Sequence, residues 1–552
     1  MAIHKEYPVV FTARGLSDAW DSTDSFHGAC KTLQNLVFDQ SNPDLMAARP
    51  GVGSPITTFS SFTGATGVTI MVTIGSMIYG MVSTSRLGAF DEPFCYNLLT
   101  NTFVAITGTL NTNLPSTALT TGDWYPPTMA VIGVKLIVTH PGFSGTGSNF
   151  FGVINLTNPA IPTWTASNTA TNALPSVPNA VVNFNNRAYF SCSNFVYYSD
   201  VLVPTTMTNA GQSLTVGDTT PVIGISGLPV QTTSAGVVGA IMVFKQYQIW
   251  QITGDAAVTG SLSQNFLSLN IGCLSPRSIV QTPYGLFFIG IDGPYYISAM
   301  GQVMPLTKDQ QKLVQDVQKP FQAIINPSRA AASFSGSIYR VSLKSTLNGL
   351  VQSGDYWFDV TTKRWTGPHT FSYDNISPYS NYFIISSNSA GAALFASPYI
   401  PTASSTYLDN GSSITVSMQS AFLPKTQNIN VKQVVESTME LAAQSAPINY
   451  SITAFGEDYS TIGYVSTTSY NPSSLWGTTA QGGNNKLWGT TAQGGSNVIW
   501  STGQGNPKTN AIPWTSPLVF KKVSIGVTAL ASYSLEIGAL SFKYSDTGMT
   551  NL

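Results

Sequence analysis

Between residues 65 and about 400 one local pattern keeps returning. A short apolar strand meets a turn built on Gly, Asn or Asp, and a second strand rich in aromatic residues follows. It reads as "NNRAYFSCSNFVYYSD" (Asn185–Asp200), "AIMVFKQYQIWQITGD" (Ala240–Asp255), "YGLFFIGIDGPYYIS" (Tyr284–Ser298), "SIYRVSLKST" with "GDYWFDVTTKRW" (Ser337–Trp365) and "NYFIISSNSAGAALFAS" (Asn381–Ser397). Turn dipeptides such as Asp292-Gly293 mark each as a hairpin. The units recur every 40 to 55 residues or so, roughly the length that four short strands and their loops fill in one β-propeller blade. The pattern predicts an all-β chain with a propeller of about six to eight blades over residues 65–400. A stack of β-sandwiches is the alternative, and it suits an unbroken run of hairpins less well.

Composition supports strands over helices. Of 552 residues only 9% are charged, and the net charge is −1. Hydrophobic residues reach 43%, which excludes a disordered chain. Ser, Thr, Asn and Gly take the place of the missing charge, and they suit turns and strand edges. One stretch carries helix signals: Thr307–Lys319, with Thr307 as cap, Gln310 at the capping-box position and Pro320 past the end. A second, Val431–Gln444, alternates well enough to be a strand.

The character changes after Ser397–Ser413. We expect an N-terminal arm of strands at 1–64, the propeller at 65–400 and a C-terminal antiparallel β-domain at 401–552. Its last segment, "FKKVSIGVTALASYSLEIGALSFKYSDTG", alternates in period two over three strands, as in one half-exposed sheet. A Trp/Gly-rich insertion at 475–506 interrupts it. "LWGTTAQGG" occurs twice at a period of twelve with a degraded third copy, so Trp476, Trp488 and Trp500 share one spacing. Such a loop either folds on its own domain or packs against a neighbouring subunit. The three indoles are the candidate interaction residues.

Signals for chemistry are sparse. Asp255, Asp292, Asp355 and Asp359 sit at expected turns, where Asp ordinarily bonds its own backbone. His4, His27, His140 and His369 are isolated. Cys30, Cys95, Cys192 and Cys273 are far apart and read as buried free thiols. No nucleophile elbow, phosphate loop or metal-ligand spacing is present. From this the sequence reads as non-enzymatic, with no catalytic, cofactor or metal residues. Near-zero charge argues against tight nucleic-acid binding. No apolar run is long enough to span a bilayer. The start, "MAIHKEYPVV", lacks a secretory leader, which points to synthesis in a cytoplasm.

Two stretches carry a family resemblance. "CKTLQNLVFDQSNPDLMAARPGV" has a strand ending in Asn, a turn, and a strand ending in Arg49-Pro50-Gly51. "MVFKQYQIWQITGD" leads to Gly272-Cys273, Ser275-Pro276-Arg277-Ser278, a strand from Gly285 and the Asp292-Gly293 turn. Together with the C-terminal "KKVSIGVTALASYSLEIGALSFKYSDTG", they resemble the β-propeller tail nozzle (tail tubular, or head-to-tail stabilisation) proteins of short-tailed bacteriophages. The resemblance implies a structural virion protein made in the host cytoplasm and placed in the tail. It implies a homo-oligomeric ring, a hexamer, below the portal and adaptor, carrying tail fibres or spikes. Genomic DNA would pass through without specific binding, and a hydroxyl-rich neutral lining suits that passage. The low charge and the tryptophan repeat depart from the family, so contacts to particular fibres are not carried over. The competing expectation is a carbohydrate-binding or carbohydrate-active propeller acting on a host surface, since aromatics make up 11% of the chain.

Overall fold

The computed structural model describes all residues except 1–5, 18–27, 40–43, 86–89, 109–112, 117–125, 234–235, 259, 307–316, 318, 326, 328–329, 348–349, 388–391, 402–404, 424–429, 442–447, 470–507, 515, 532–534 and 548–552. The chain forms two compact units. One is Pro55–Lys363 with Phe371–Ser397; the other is Met1–Ser54, Arg364–Thr370 and Pro398–Leu552.

The first unit is a β-propeller of seven blades. Each blade is an antiparallel meander. Blade 1 is Gly67–Ile74, Met77–Thr84, Phe90–Asn97 and Thr102–Val104. Blade 2 is Thr128–Ile132, Lys135–Thr139, Phe151–Asn155 and Thr163–Ser167, and Thr107–Gly108 adds in parallel to its last strand. Blade 3 is Ala180–Phe184, Arg187–Cys192, Phe195–Tyr198 and Ser213–Thr215. Blade 4 is Gly224–Thr233, Gly236–Phe244, Ile249–Thr253 and Ser263–Ser268. Blade 5 is Val280–Thr282, Gly285–Gly290, Gly293–Ser298 and Val303–Pro305. Blade 6 has Ala331–Ser335, Ile338–Leu347 and Leu350–Asp359 in this unit. Blade 7 is Asn375–Tyr379, Tyr382–Ser387 and Ala393–Pro398, completed by Thr57–Thr58 from the other end of the chain. The first strand of every blade neighbours the first strand of the next, and that of blade 7 neighbours that of blade 1, so the ring is closed.

The aromatic hairpins of the sequence are the middle strands of these blades. Blades stack face to face, so a middle strand is covered on both sides and reads as an unbroken apolar run. Gly285–Gly290, "GLFFIG", is buried at every position. The core is accordingly a ring of separate interblade layers. Ile70, Tyr79 and Met81 of blade 1 meet Leu136, Ile154 and Trp164 of blade 2. Phe151 of blade 2 meets Phe190 of blade 3 at 5.0 Å between ring centroids. Phe244 of blade 4 meets Phe288 of blade 5 at 5.1 Å. At the closing seam, Phe59 and Phe94 pack with Ile384 and Leu394. The expected all-β propeller with a C-terminal β-domain is the observed fold.

The second unit is built from two antiparallel sheets. One runs Arg364–His369, Ala29–Gln34, Ser412–Ser420, Ser524–Ala531, Ile448–Phe455 and Thr461–Ser469. The other joins Leu36–Phe38, Met46–Ala48, Glu536–Asp546 and Lys432–Leu441, with Glu6–Phe11 on Glu536–Asp546. Side chains from both sheets, Ile525 and Leu540 among them, enclose a cavity of ≈ 10 Å³.

Three sequence expectations change. The described N-terminal residues form no separate arm: Ala29–Gln34 is an interior strand between Arg364–His369 and Ser412–Ser420. Strand pairing so distant in sequence leaves no local trace. The boundary expected at 64 lies after Ser54, because Thr57–Thr58 closes the propeller. The last strands do not make one sheet: Ser524–Ala531 and Glu536–Asp546 belong to different ones. Of the expected helix Thr307–Lys319, most lies outside the described residues. A single turn, Lys319–Gln322, begins where that helix was to end, with Pro320 in its first turn, where its missing N–H costs nothing. Val431–Gln444 contains the strand Lys432–Leu441.

Candidate functional site

The first strands of six blades, with the turn that precedes the first strand of blade 5, line an axial cavity of ≈ 260 Å³. Its wall is mostly aliphatic, with Thr128, Ser226 and Asn375 among the polar members. Arg277 is the ionisable residue of that wall. It sits in the short turn Pro276–Ser278 before blade 5. Its Nη1 donates to the Thr69 carbonyl of blade 1 at 2.7 Å, and its Nη2 donates to the Asp374 carbonyl beside blade 7. The guanidinium thus spans the axis and fastens both sides of the closing seam.

The residues around Arg277 are fasteners too. Cys273 Sγ donates to the Ser275 carbonyl at 3.1 Å, and Ser278 Oγ donates to the same oxygen at 2.7 Å. Ser275 Oγ donates to the Ala330 carbonyl at 3.1 Å, and Tyr339 OH donates to the Ser278 carbonyl at 3.1 Å, tying this turn to blade 6. Burial pushes the Cys273 thiol up to about 12, so it stays protonated and unreactive at neutral pH. Gly285 has φ +136°, and a Cβ there would meet the Ile297 carbonyl oxygen at 2.0 Å. No other residue fits that position.

The N-terminal motif makes a second buried network, in the other unit. Asn35 stands at φ 58° between two strands. Its Oδ1 accepts from Arg49 Nε at 2.9 Å and from the Thr370 N–H at 3.0 Å. Its Nδ2 donates to the Thr415 carbonyl at 2.7 Å, and its N–H donates to His369 Nδ1 at 3.0 Å. Arg49, 1% exposed, forms a two-pronged ion pair with Asp409. Gly51 lies against the chain beyond, where a Cβ would stand 2.2 Å from the Leu408 carbonyl oxygen.

Two buried polar pairs escaped the sequence reading. His140 Nε2 lies 2.8 Å from Asp91 Oδ2, with both side chains fully buried between blades 1 and 2. Gly142 N–H donates to His140 Nδ1 at 2.9 Å, which fixes the tautomer with its hydrogen on Nε2. Ser83 Oγ donates to Asp91 at 2.8 Å. Burial works to raise the Asp91 carboxyl, but the hydrogen bond from His140, with the Ser83 and Thr69 hydroxyls, outweighs it and holds the group below its usual range. Arg340 pairs with Asp355 and lies 4.7 Å from the Trp357 ring centroid and 4.9 Å from that of Tyr373. Asp355 also accepts from Trp357 Nε1 at 2.7 Å and Tyr373 OH at 2.9 Å. Asp355 is therefore a buried strand residue and not the turn residue expected. The only sequence signals were a charged residue inside each apolar run.

The remaining predicted positions are placed as follows. Asp255 accepts from the Ala257 N–H at 2.8 Å and Asp359 from the Thr361 N–H at 2.9 Å, each capping its own turn. Asp292 accepts from Tyr295 OH at 2.8 Å. All four cysteines are buried and unpaired. No cluster of three metal-ligating side chains occurs among the described residues. Trp476, Trp488 and Trp500, with His4 and His27, lie outside the described residues.

No family model and no curated protein matches the chain. Solved structures do. The WD40 β-propeller domain of Doa1 is 8% identical, with 60% of this chain and 94% of that one covered at a TM-score of 0.34. A Mycobacterium tuberculosis puromycin-hydrolyzing peptidase is 9% identical, covering 65% and 57%, at 0.36. The exo-β-1,3-galactanase of Phanerochaete chrysosporium is 11% identical, covering 90% and 100%, at 0.29. Identities this low concern the fold alone. The expectation that the chain is not an enzyme rested on missing local motifs, and it is withdrawn. A propeller can assemble a site from residues on different blades, so a missing local motif does not place a chain outside that class.

Proposed function

We propose that this propeller is a structural protein of a bacteriophage short tail. It forms a ring-shaped nozzle below the portal and adaptor that retains the genome and conducts it during ejection. One observation supports this best: the residues that carry the family resemblance are the fasteners of the fold. Asn35, Arg49 and Gly51 hold the second unit together, and Cys273, Ser275, Arg277, Ser278 and Gly285 hold the propeller. A motif spent on architecture marks a shared scaffold. The charge of −1 over 552 residues fits a wall that DNA slides past. Fibres or spikes are the partners on the outside.

A carbohydrate-binding or carbohydrate-active propeller is the second reading. The exposed rings of Tyr247, Phe266 and Tyr284 favour it, as faces on which a sugar can stack. The two separate cleanly by solution mass and glycan binding. The tail reading expects a closed ring, a hexamer, formed alone or on a portal–adaptor complex. A chain that stays monomeric with and without that complex, and retains or cleaves an oligosaccharide on a host-glycan array, overturns it.

A further inference from the structure

The axial cavity of the propeller has a chemistry that the tail reading leaves unused. Its wall is assembled from side chains that stand side by side only when the ring is closed, Ile70, Met129, Val182, Ile225, Ile279 and Ile376 among them. Among the described residues of that wall none is aromatic and none is acidic. Aliphatic side chains offer a guest burial and dispersion but no stacking face, so the wall suits an aliphatic body. The volume of ≈ 260 Å³ holds at least eight water-sized groups at roughly 30 Å³ each.

The neutral polar groups of the wall are committed to the fold. Thr128 Oγ1 accepts from the Val181 N–H at 2.9 Å. Ser226 Oγ donates to the Gly227 carbonyl at 3.4 Å, and Asn375 Nδ2 donates to the Val68 carbonyl at 2.6 Å. Arg277 is different. It is half-buried on a wall with no second ionisable residue. A guanidinium carries five N–H donors. The Thr69 and Asp374 carbonyls take one each, and as uncharged acceptors they orient the group without cancelling its charge.

We propose that the axial cavity binds a small aliphatic monocarboxylate, with the carboxylate on Arg277 and the hydrocarbon body against the aliphatic wall. One planar guanidinium matches one carboxylate in charge and in shape. A phosphate monoester would bring a second charge that no other residue of the wall answers. Because the wall exists only in the closed ring, the acid binds the folded chain and stabilises it by mass action. The inference does not depend on the tail reading, and neither one's failure touches the other.

The test uses the full chain with 4-methylpentanoate and hexanoate as probes. Isothermal titration should give one site per chain, and the melting temperature should rise with acid concentration. 4-Methylpentanamide, which has the same shape without the charge, should bind at least tenfold more weakly, and so should inorganic phosphate. Arg277→Gln should lower the affinity for the acid to that for the amide. Ala332→Leu enlarges a wall side chain and leaves Arg277 in place; with an unchanged far-ultraviolet circular dichroism spectrum it should weaken acid binding at least tenfold. If Arg277→Gln does not fold, Ala332→Leu and the amide decide the matter. No heat and no melting shift with either acid at up to about 10 mM overturns the site. Equal binding of the amide overturns the role of Arg277, and equal binding of phosphate overturns the aliphatic class. Acid binding undiminished in Ala332→Leu overturns the placement in the axial cavity.

Discussion

Arg49 Nε donates to Asn35 Oδ1 at 2.9 Å, joining two strand ends that are fourteen residues apart in the chain. The amide also reaches Thr370 and Thr415, so one side chain ties four segments of the second unit. Asn tolerates the left-handed backbone at this position better than other residues with a Cβ.

Asn35→Ala should therefore cost more than a surface change. It leaves the buried Arg49 Nε and the Thr370 N–H without their acceptor and adds backbone strain, for about 3–5 kcal/mol in total. Asn35→Gly should recover only the strain, roughly 1 kcal/mol. Urea denaturation followed by tryptophan fluorescence measures both. A loss under about 1 kcal/mol for Asn35→Ala would contradict the network's role.

Asp91 gives the propeller a built-in acid limit. Its folded carboxyl lies below its unfolded value of 3.8. A depressed carboxyl stabilises the fold above the unfolded value, and that contribution disappears as pH falls through the folded one. Stability should thus drop below about pH 4 with a steeper slope than in Asp91→Asn. At neutral pH the same variant should lose about 1–3 kcal/mol, because the buried bonds from His140 and Ser83 lose their charged acceptor. Melting temperature against pH for the two proteins provides the comparison. Parallel acid slopes would rule Asp91 out as the titrating group.

How much of this was readable in advance follows from the range of each interaction. The aromatic hairpins were legible because a strand covered on both faces must be apolar, and "GLFFIG" shows it without reference to anything else. The turn roles of Asp255 and Asp359 were legible because their partners lie two residues away. The placement of Ala29–Gln34 beside Ser412–Ser420 was not, since nothing local encodes a pairing across nearly the whole chain. Asp355 misled for a related reason. Its neighbours suggested a turn, while Arg340 and Tyr373, which bury it, come from other strands and loops. The axial cavity left no trace because each blade contributes only two or three residues to its wall.

The last prediction concerns ring closure. Seven interblade layers repeat around the axis, and only the layer between blades 7 and 1 joins parts of the chain more than three hundred residues apart. Ile56 N–H donates to the Leu394 carbonyl at 2.7 Å and Phe59 N–H to the Ala392 carbonyl at 3.2 Å, which seats the N-terminal segment as the outer strand of blade 7. Asn375 Nδ2 donates to the Val68 carbonyl at 2.6 Å, and the Thr73 N–H donates to Ser377 Oγ at 2.8 Å, stitching blade 7 to blade 1. Phe59 is the apolar anchor: 2% exposed, 4.8 Å from the Phe94 ring and 5.2 Å from Phe103. Phe59→Ala should cost about 3–5 kcal/mol, as a large buried ring does elsewhere. Phe190→Ala, in the layer between blades 2 and 3, should cost the same amount. The two should differ in where protection is lost. Opening the seam frees one end of the ring without breaking any other layer, so amide hydrogen exchange in Phe59→Ala should rise in Gly67–Ile74, Asn375–Tyr379 and Ala393–Pro398 and stay unchanged in blade 4. In Phe190→Ala the rise should centre on blades 2 and 3. Equal patterns in the two variants would mean that the propeller opens as one unit and that the seam is no weaker than any other layer.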